Sequence, residues 1–104
     1  MNVLGFSGSP RSNGNTERLV AQVLEGAAGA GADTQLFRLG EMTVHGCSAC
    51  MDCRKTPACS HDDDMAPLIA QILNAHALVV GSPVYMWQVT AQAKLFMDRL
   101  FPVL

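Results

Sequence analysis

A run of small hydroxyl, amide and glycine residues between Ser7 and Thr16 has the composition of an anion-binding loop. It follows an apolar stretch and leads into a helical pattern, so backbone N–H groups and the positive end of a helix dipole would converge there. Arg11 and the hydroxyl groups can add donors for phosphate oxygens. The run lacks the Gly-Lys-Ser/Thr ending of a nucleoside-triphosphate loop and the three-glycine spacing of a dinucleotide-binding turn. It therefore predicts a site for a terminal phosphate monoester, with a helix-capping surface turn as the alternative.

Four cysteines lie within 13 residues on a glycine-flanked loop, at Cys47, Cys50, Cys53 and Cys59. Gaps of two residues let successive thiols face one point, and bacterial ferredoxins begin their motif with nearly the same spacing. Soft thiolates favour iron–sulfur clusters or zinc over magnesium or calcium. The four cysteines are predicted to bind a 4Fe–4S cluster. Zinc, with His61 or His45 as a spare ligand, and the absence of any metal are the two alternatives.

Three motifs in order resemble one protein family. Gly8-Ser9-Pro10-Arg11, followed by Gly14-Asn15-Thr16, resembles the FMN-phosphate loop of the NADPH-dependent FMN reductases, a flavodoxin-like superfamily. Gly81-Ser82-Pro83-Val84-Tyr85, with Lys94-Leu95-Phe96-Met97-Asp98-Arg99 after it, resembles the flavin-ring loop and following helix of that family. The cysteine motif resembles that of its iron–sulfur flavoprotein branch. The resemblance covers nearly the whole chain, and it implies that the chain is the N-terminal portion of a family member.

This resemblance implies FMN-binding roles for residues of two loops. The phosphate loop contributes Ser9, Arg11, Ser12, Asn13, Asn15 and Thr16, and the ring loop contributes Pro83, Val84, Tyr85, Met86 and Trp87. Backbone N–H groups of the ring loop would bind the flavin edge, and Tyr85 or Trp87 would stack on the ring. The family often has an aromatic residue directly after the tyrosine, where this chain has Met86. The alternative is that the two aromatic residues cover a sheet edge or a subunit interface.

The elements that would position these loops alternate between strand and helix. We predict strands at 2–7, 34–39 and 77–81, and helices at 16–28, 65–73 and 91–101, with a cysteine-rich loop at 43–61. This order implies a single α/β domain over 1–104, with a parallel sheet and right-handed crossovers. In a flavodoxin-like order the first and third strands are neighbours. The phosphate loop and the ring loop would then share one crevice beyond their carboxyl ends.

Composition narrows the class of protein. The chain has 104 residues, 49% of them apolar and 15% charged, with a net charge of −2, as expected of one globular domain. The absence of a basic run argues against a nucleic-acid partner. No secretory signal or stretch long enough to span a membrane is visible. We therefore expect a cytoplasmic protein without a membrane partner, in which the cysteines stay reduced or bind metal.

The third predicted strand has an apolar edge without a partner. The resemblance implies about five parallel strands, whereas this sequence supplies three. An unpaired apolar edge is an aggregation hazard. We therefore expect a homo-oligomer, a dimer or a tetramer, that covers this edge, or a longer protein of which this is the N-terminal part.

The function implied by the resemblance is that of an FMN-dependent oxidoreductase or an electron-transfer flavoprotein. Its partners would be NAD(P)H or a ferredoxin-like protein donor, because FMN exchanges either a hydride or single electrons. No catalytic acid or base is predicted. The alternative is a shortened, non-catalytic relative that binds zinc or acts as an assembly module without FMN.

Overall fold

The structure, a computed structural model, describes residues 1–56 and 58–103. Within them, three strands form one parallel sheet: β1 (Asn2–Ser7), β2 (Asp33–Arg38) and β3 (Ala77–Gly81). The sheet order is β2-β1-β3, so β1 lies in the middle and pairs with both other strands. This order is the one predicted, and it makes the carboxyl ends of β1 and β3 neighbours.

Three helices cover the two faces of the sheet: α1 (Asn15–Gly29), α2 (Met65–Leu73) and α3 (Ala91–Asp98). Residues of β1 alternate between the faces, as the pleat of a strand requires. Val3 packs with the apolar stripe of α1, and Phe6 packs with residues of α2 and α3. The chain is therefore a three-layer α/β/α domain of the flavodoxin-like class.

The main core lies between the sheet and the pair α2 and α3. Phe6 is fully buried, and its ring centroid lies 5.2 Å from that of Phe37 and 4.4 Å from that of Phe96. On the opposite face, a Cβ at Gly5 would lie only 2.6 Å from Leu24 Cδ1. A glycine here lets α1 pack directly against the middle strand.

The last helix is shorter than the sequence pattern indicates. We predicted a helix over 91–101, but α3 ends at Asp98 and a short 3₁₀ turn follows at Phe101–Val103. The apolar spacing continues through Leu100 and Phe101, which is why the pattern extends too far. Pro102 disfavours the α conformation at Phe101 before it, so the α-helix does not continue through this segment.

The outer edge of β3 has no partner strand among the described residues. Leu78 and Val80 of this strand are 38% and 44% exposed. The bare apolar edge expected from the sequence is therefore present in the fold. Within the described ranges, no helix has both the length and the apolar character needed to cross a membrane.

Candidate functional site

The loops that follow β1 and β3 are joined directly at the end of the sheet. The Gly8 N–H donates a hydrogen bond of 2.8 Å to the Gly81 carbonyl oxygen. The buried Thr90 side chain donates from Oγ1 to the Gly8 carbonyl oxygen at 2.6 Å, and the Thr90 N–H donates to Ser82 Oγ at 3.0 Å. Thr90 also caps α3, since its Oγ1 accepts from the Ala93 N–H at 3.1 Å. One side chain thus connects both loops to the start of a helix.

Two glycines allow this close approach. A Cβ at Gly8 would lie 3.0 Å from the Ala93 Cβ and 3.2 Å from the Gly81 carbonyl oxygen. A Cβ at Gly81 would lie 2.6 Å from a methyl carbon of Val20 in α1. Any larger residue at either position would push the two loops apart or displace α1.

The joined loops form an open cleft of about 380 Å³ beyond the carboxyl ends of the strands. Six predicted cofactor-binding residues line it, with Gly14: Ser9, Arg11, Asn15, Thr16, Pro83 and Tyr85. The remaining five predicted residues are not among the lining side chains: Ser12, Asn13, Val84, Met86 and Trp87. The fold thus brings both loops to one cleft, with part of each loop facing away from it.

The phosphate loop is ordered by its own side chains and by α1. Ser9 Oγ accepts from the Arg11 N–H at 3.1 Å, and a Glu17 carboxylate oxygen accepts from the Asn13 N–H at 3.0 Å. Asn13 has a left-handed backbone with φ of 60°. Its N–H is therefore turned inward to the helix rather than toward the cleft, which explains why Asn13 does not line it.

Glu17 is a residue that the sequence analysis missed. It is buried, and it forms an ion pair with Arg38 at the end of β2. The hydrogen bond from Arg38 lowers the pKa of Glu17, against the opposing effect of burial. An acidic residue in the first turn of α1 was the available signal, because it lies at the positive end of the helix dipole. Glu17 fixes the loop at the end of the cleft where an anion would bind.

The ring loop makes a tight reversal between Tyr85 and Gln88. Their backbone groups exchange two hydrogen bonds, of 2.9 Å and 3.1 Å. The two residues between them, Met86 and Trp87, are left-handed, with φ of 47° and 67°. Glycine and asparagine are the residues usually found in such a two-residue turn. Met86 and Trp87 therefore hold a strained backbone, and they project outward with side chains 88% and 90% exposed.

The four cysteines line a second, smaller cavity of about 20 Å³. Cys47 and Cys50 are exposed, whereas Cys53 and Cys59 are half-buried. Left-handed residues interrupt the chain between successive cysteines, namely Ala49 with φ of 57° and Met51 with φ of 67°. These reversals turn separate parts of one loop toward a common pocket. His61 lines the same pocket, whereas His45 does not.

The cysteine pocket has the donor chemistry of a soft-metal site. Its lining includes four cysteines, whose sulfur atoms suit an iron–sulfur cluster or zinc. Across residues 1–56 and 58–103, no three His, Cys, Asp or Glu side chains are already arranged around one metal position. A metal would therefore require the thiol side chains to turn inward. A hydrogen bond with Ser60 Oγ, at 3.2 Å, lowers the pKa of Cys50, which favours the thiolate that a metal needs.

A buried ion pair between Asp63 and Arg99 supports the cysteine pocket, which Arg99 lines. Both side chains are only 1% exposed, and Arg99 Nη1 donates to Asp63 Oδ2 at 2.6 Å. Asp63 also accepts from the backbone N–H groups of His45 and Met65. The hydrogen bond from Arg99 is the main reason that the pKa of Asp63 lies well below its usual range. The carboxylate thus joins α2, the end of α3 and the start of the cysteine loop.

Comparison with known proteins connects these two sites to one family. The family model of the NADPH-dependent FMN reductases matches residues 1–102. An iron–sulfur flavoprotein of Methanocaldococcus jannaschii is 37% identical over 103 residues, covering 99% of this chain and 53% of that protein. The iron–sulfur flavoprotein of Methanosarcina thermophila is 36% identical, covering 95% of this chain and 52% of its own length. The chain thus spans about half the length of these curated relatives.

A solved structure shares the fold. The apo crystal structure of an NADH:FMN oxidoreductase superposes with a TM-score of 0.67 and 19% sequence identity. The match covers 95% of this chain and 49% of the other. At this identity the likeness concerns the architecture of the sheet and helices, and it agrees with the flavodoxin-like class predicted from the sequence.

Proposed function

The chain belongs to the NADPH-dependent FMN reductase family, and from this premise we propose that it binds FMN and takes part in oxidation–reduction, as a reductase or as an electron carrier. One observation carries the proposal. The phosphate loop and the ring loop, 67 residues or more apart in sequence (Thr16 to Pro83), line one cleft at the carboxyl ends of β1 and β3. Parallel α/β sheets bind their ligands at such a position.

The phosphate loop would bind the anionic end of the cofactor. Ser9, Arg11 and Thr16 line the cleft and supply hydroxyl and guanidinium donors. The start of α1 adds the positive end of its dipole, because Gly14 caps the helix without a side-chain hydrogen bond that would occupy the free N–H groups. The buried carboxylate of Glu17, paired with Arg38, orients the loop through the Asn13 N–H and does not line the cleft.

The ring loop would hold the isoalloxazine ring. Pro83 and Tyr85 line the cleft, and Tyr85 offers an aromatic face for stacking. Trp87 lies outside the lining in this conformation, so Tyr85 is the better supported stacking residue. When bound, FMN supplies hydride transfer and single-electron transfer. The residues of the cleft bind and orient it, and none is assigned as an acid or base.

The cysteine pocket would hold a 4Fe–4S cluster through Cys47, Cys50, Cys53 and Cys59, with zinc as the alternative metal. All four cysteines line this one pocket, which supports the assignment, and the curated relatives are named iron–sulfur flavoproteins. Such a cluster would supply one-electron transfer. NAD(P)H or a ferredoxin-like protein is the electron donor that we propose.

We also propose that the protein is a homo-oligomer, a dimer or a tetramer, in the cytoplasm. The exposed Leu78 and Val80 at the free edge of β3 support an oligomer. Light scattering of the purified chain measures its mass, and a monomer with freely exchanging β3 amides would contradict this part of the proposal.

A titration with two flavins tests the cleft. We expect the purified chain to quench the fluorescence of FMN at lower protein concentration than that of riboflavin, which lacks the phosphate. Arg11→Ala should weaken FMN binding roughly tenfold, about 1.4 kcal/mol, because a charge-assisted hydrogen bond is lost, and should leave riboflavin binding unchanged.

The matched control is Arg18→Ala. Arg18 is an exposed arginine of α1 that does not line the cleft, so its removal changes the net charge equally. If both variants weaken FMN binding to the same extent, the phosphate assignment is wrong. If neither flavin binds to the wild-type chain, the FMN proposal itself fails, and a non-catalytic module is the remaining candidate. Iron, sulfide and zinc analysis of an anaerobic sample tests the cysteine pocket separately.

A further inference from the structure

Arg99 follows α3 directly, and two of its three guanidinium nitrogens have fixed partners. Nη1 donates to Asp63 Oδ2 at 2.6 Å and to the His45 carbonyl oxygen at 2.9 Å, and Nη2 donates to Asp63 Oδ1 at 3.0 Å. Because the two side chains are only 1% exposed, solvent does not compete for these bonds. The guanidinium plane is therefore fixed, and with it the direction of the remaining N–H group.

The third nitrogen, Nε, is buried and has no hydrogen-bond partner within the described part of the chain. Buried polar groups in native proteins are nearly always paired, and an unpaired donor on a charged group is especially unfavourable. It is also the only buried side-chain nitrogen or oxygen in residues 1–56 and 58–103 that lacks a partner. This exception indicates that an acceptor belongs beside Arg99.

The cysteine pocket is the neighbourhood in which such an acceptor would lie. Arg99 lines it together with all four cysteines. The hydrogen bonds with Asp63 raise the pKa of Arg99, and Cys59 makes a smaller contribution in the same direction. The only carboxylate among the lining residues, that of Asp98, forms an exposed ion pair with Lys94. The other polar side chains of the lining are already hydrogen-bonded, Ser48 to His61 and Ser60 to Cys50. The cysteine sulfurs are thus the side-chain acceptors that the pocket offers to Arg99.

We propose that the Nε–H of Arg99 is the hydrogen-bond donor of this pocket to a metal-bound sulfur, either the Cys59 thiolate or a sulfide of the cluster. This inference rests on the proposed metal centre at the four cysteines. Negative charge on the sulfur atoms increases when a cluster is reduced. A fixed cation with its N–H directed to sulfur favours the reduced form, and it therefore raises the reduction potential.

An arginine is suited to this double role, whereas a lysine is not. A guanidinium can engage a carboxylate through both Nη atoms and still present Nε–H in another direction. The bonds to Asp63 and to the His45 carbonyl oxygen use only the two Nη atoms and do not involve Nε. The unpaired Nε is what distinguishes a donor to the metal centre from a purely structural clamp.

Arg99→Lys in the full chain tests the proposal, since it keeps the positive charge and removes the Nε–H. After anaerobic reconstitution we expect iron and sulfide contents close to those of the wild type and a more negative reduction potential. Arg18→Lys is the matched control, because it makes the same exchange at an exposed arginine of α1 that does not line the pocket, and its potential should stay near the wild-type value. A wild-type potential in Arg99→Lys with a full complement of iron would overturn the inference.

A second measurement needs no substitution, in case Arg99→Lys does not fold. Nitrogen-15 NMR of the wild-type chain, apo and loaded with cadmium, follows the Arg99 Nε–H directly. We expect its resonance to shift and its exchange with solvent to slow by tenfold or more on loading. Cadmium bound at the cysteines with an unchanged Nε–H would refute the inference alone. A wild-type chain that binds neither iron nor cadmium at its cysteines would refute both the proposed metal centre and the inference.

Discussion

The cofactor cleft and the cysteine pocket are built in different ways. The loops of the cleft leave neighbouring strands and are joined through main-chain atoms of Gly8 and Gly81. Within 43–56 and 58–61, the described parts of the cysteine loop, there is one short 3₁₀ turn, Asp52–Arg54, and Ala49 and Met51 are left-handed. Its attachment to the rest of the fold includes the ion pair of Asp63 with Arg99. The cleft is thus formed by the sheet itself, whereas the pocket depends on a few side chains.

This difference predicts how each region responds to substitution. Main-chain hydrogen bonds persist when a single surface side chain changes, so the cleft should tolerate most substitutions outside its glycines and Thr90. A loop attached through a few side chains should open as a unit when its buried ion pair is broken, because an uncompensated buried charge is strongly unfavourable. The following variants test this contrast.

The largest effect is expected from Asp63→Ala. It leaves the Arg99 guanidinium buried without its carboxylate, and breaking a buried ion pair in this way costs about 3–5 kcal/mol. Urea unfolding should show this loss of stability, and hydrogen exchange should show that the cysteine loop opens before the cleft. Lys94→Ala breaks the exposed pair of α3 and should cost less than about 0.5 kcal/mol. Equal losses in the two variants would contradict the contrast.

The same carboxylate predicts the response to acid. Its pKa is lower in the folded chain than the ordinary value of 3.8, so the unfolded state takes up the proton first as the pH falls. The stabilisation from Asp63 is complete above that ordinary value and is lost as the pH falls below it toward the folded pKa. Asp63→Asn should therefore be less stable at neutral pH and should lose less stability between pH 5 and pH 2 (roughly the range in which a carboxylate of this kind titrates).

Thr90→Val should have an intermediate effect, located at the cleft. The substitution removes the cap of α3 and leaves the Gly8 carbonyl oxygen without its side-chain donor. Loss of an N-cap together with a buried hydrogen bond is worth about 2 kcal/mol. Urea unfolding measures this decrease in the free energy of unfolding. Thr90→Ser keeps the hydroxyl, so its decrease should be less than about 1 kcal/mol. If valine is tolerated as well as serine, this side chain does not join the two loops.

The smallest effect is expected from Trp87→Gly, and it has the opposite sign. The left-handed backbone at Trp87 is unfavourable for any residue with a Cβ, so glycine should stabilise the chain by up to about 1 kcal/mol. Trp87→Ala removes the indole and keeps the strain, and it should give no gain in urea unfolding. A gain with alanine equal to that with glycine would show that the exposed indole, rather than the backbone, is the source of the cost.

Most of the fold could be predicted from the sequence because its signals are local. The run Ala77–Gly81 is short, apolar and followed by Ser82 and Pro83, and it forms a strand within these limits. The first strand and α1 were also predicted from local signals, namely an apolar run, a loop of small residues and a helical pattern. The predicted end of α3 was wrong because the apolar spacing continues to Phe101, whereas the α-helix ends at Asp98. Pro102 disfavours a further α-helical turn.

The site could be predicted only in part, because its supporting contacts are not local. Both loops were predicted to meet, since strand order alone brings them to one crevice. The pairing of Asp63 with Arg99 joins residues 36 positions apart, and nothing in the spacing of either residue indicates it. The acidic run at 62–64 was interpreted as a helix cap, and Asp63 does accept from the Met65 N–H at 3.1 Å. Its larger role depends on burial, which a local pattern does not reveal.

The position of Trp87 also has a practical consequence. It is the only tryptophan of the chain, and it is 90% exposed in the turn that follows Tyr85, a residue of the cleft lining. Its emission therefore reports on a single point of the molecular surface, and a red-shifted maximum typical of a hydrated indole is expected. Any molecule or subunit that covers this turn should shift the maximum to the blue or quench it, so the chain carries an intrinsic optical probe that needs no label.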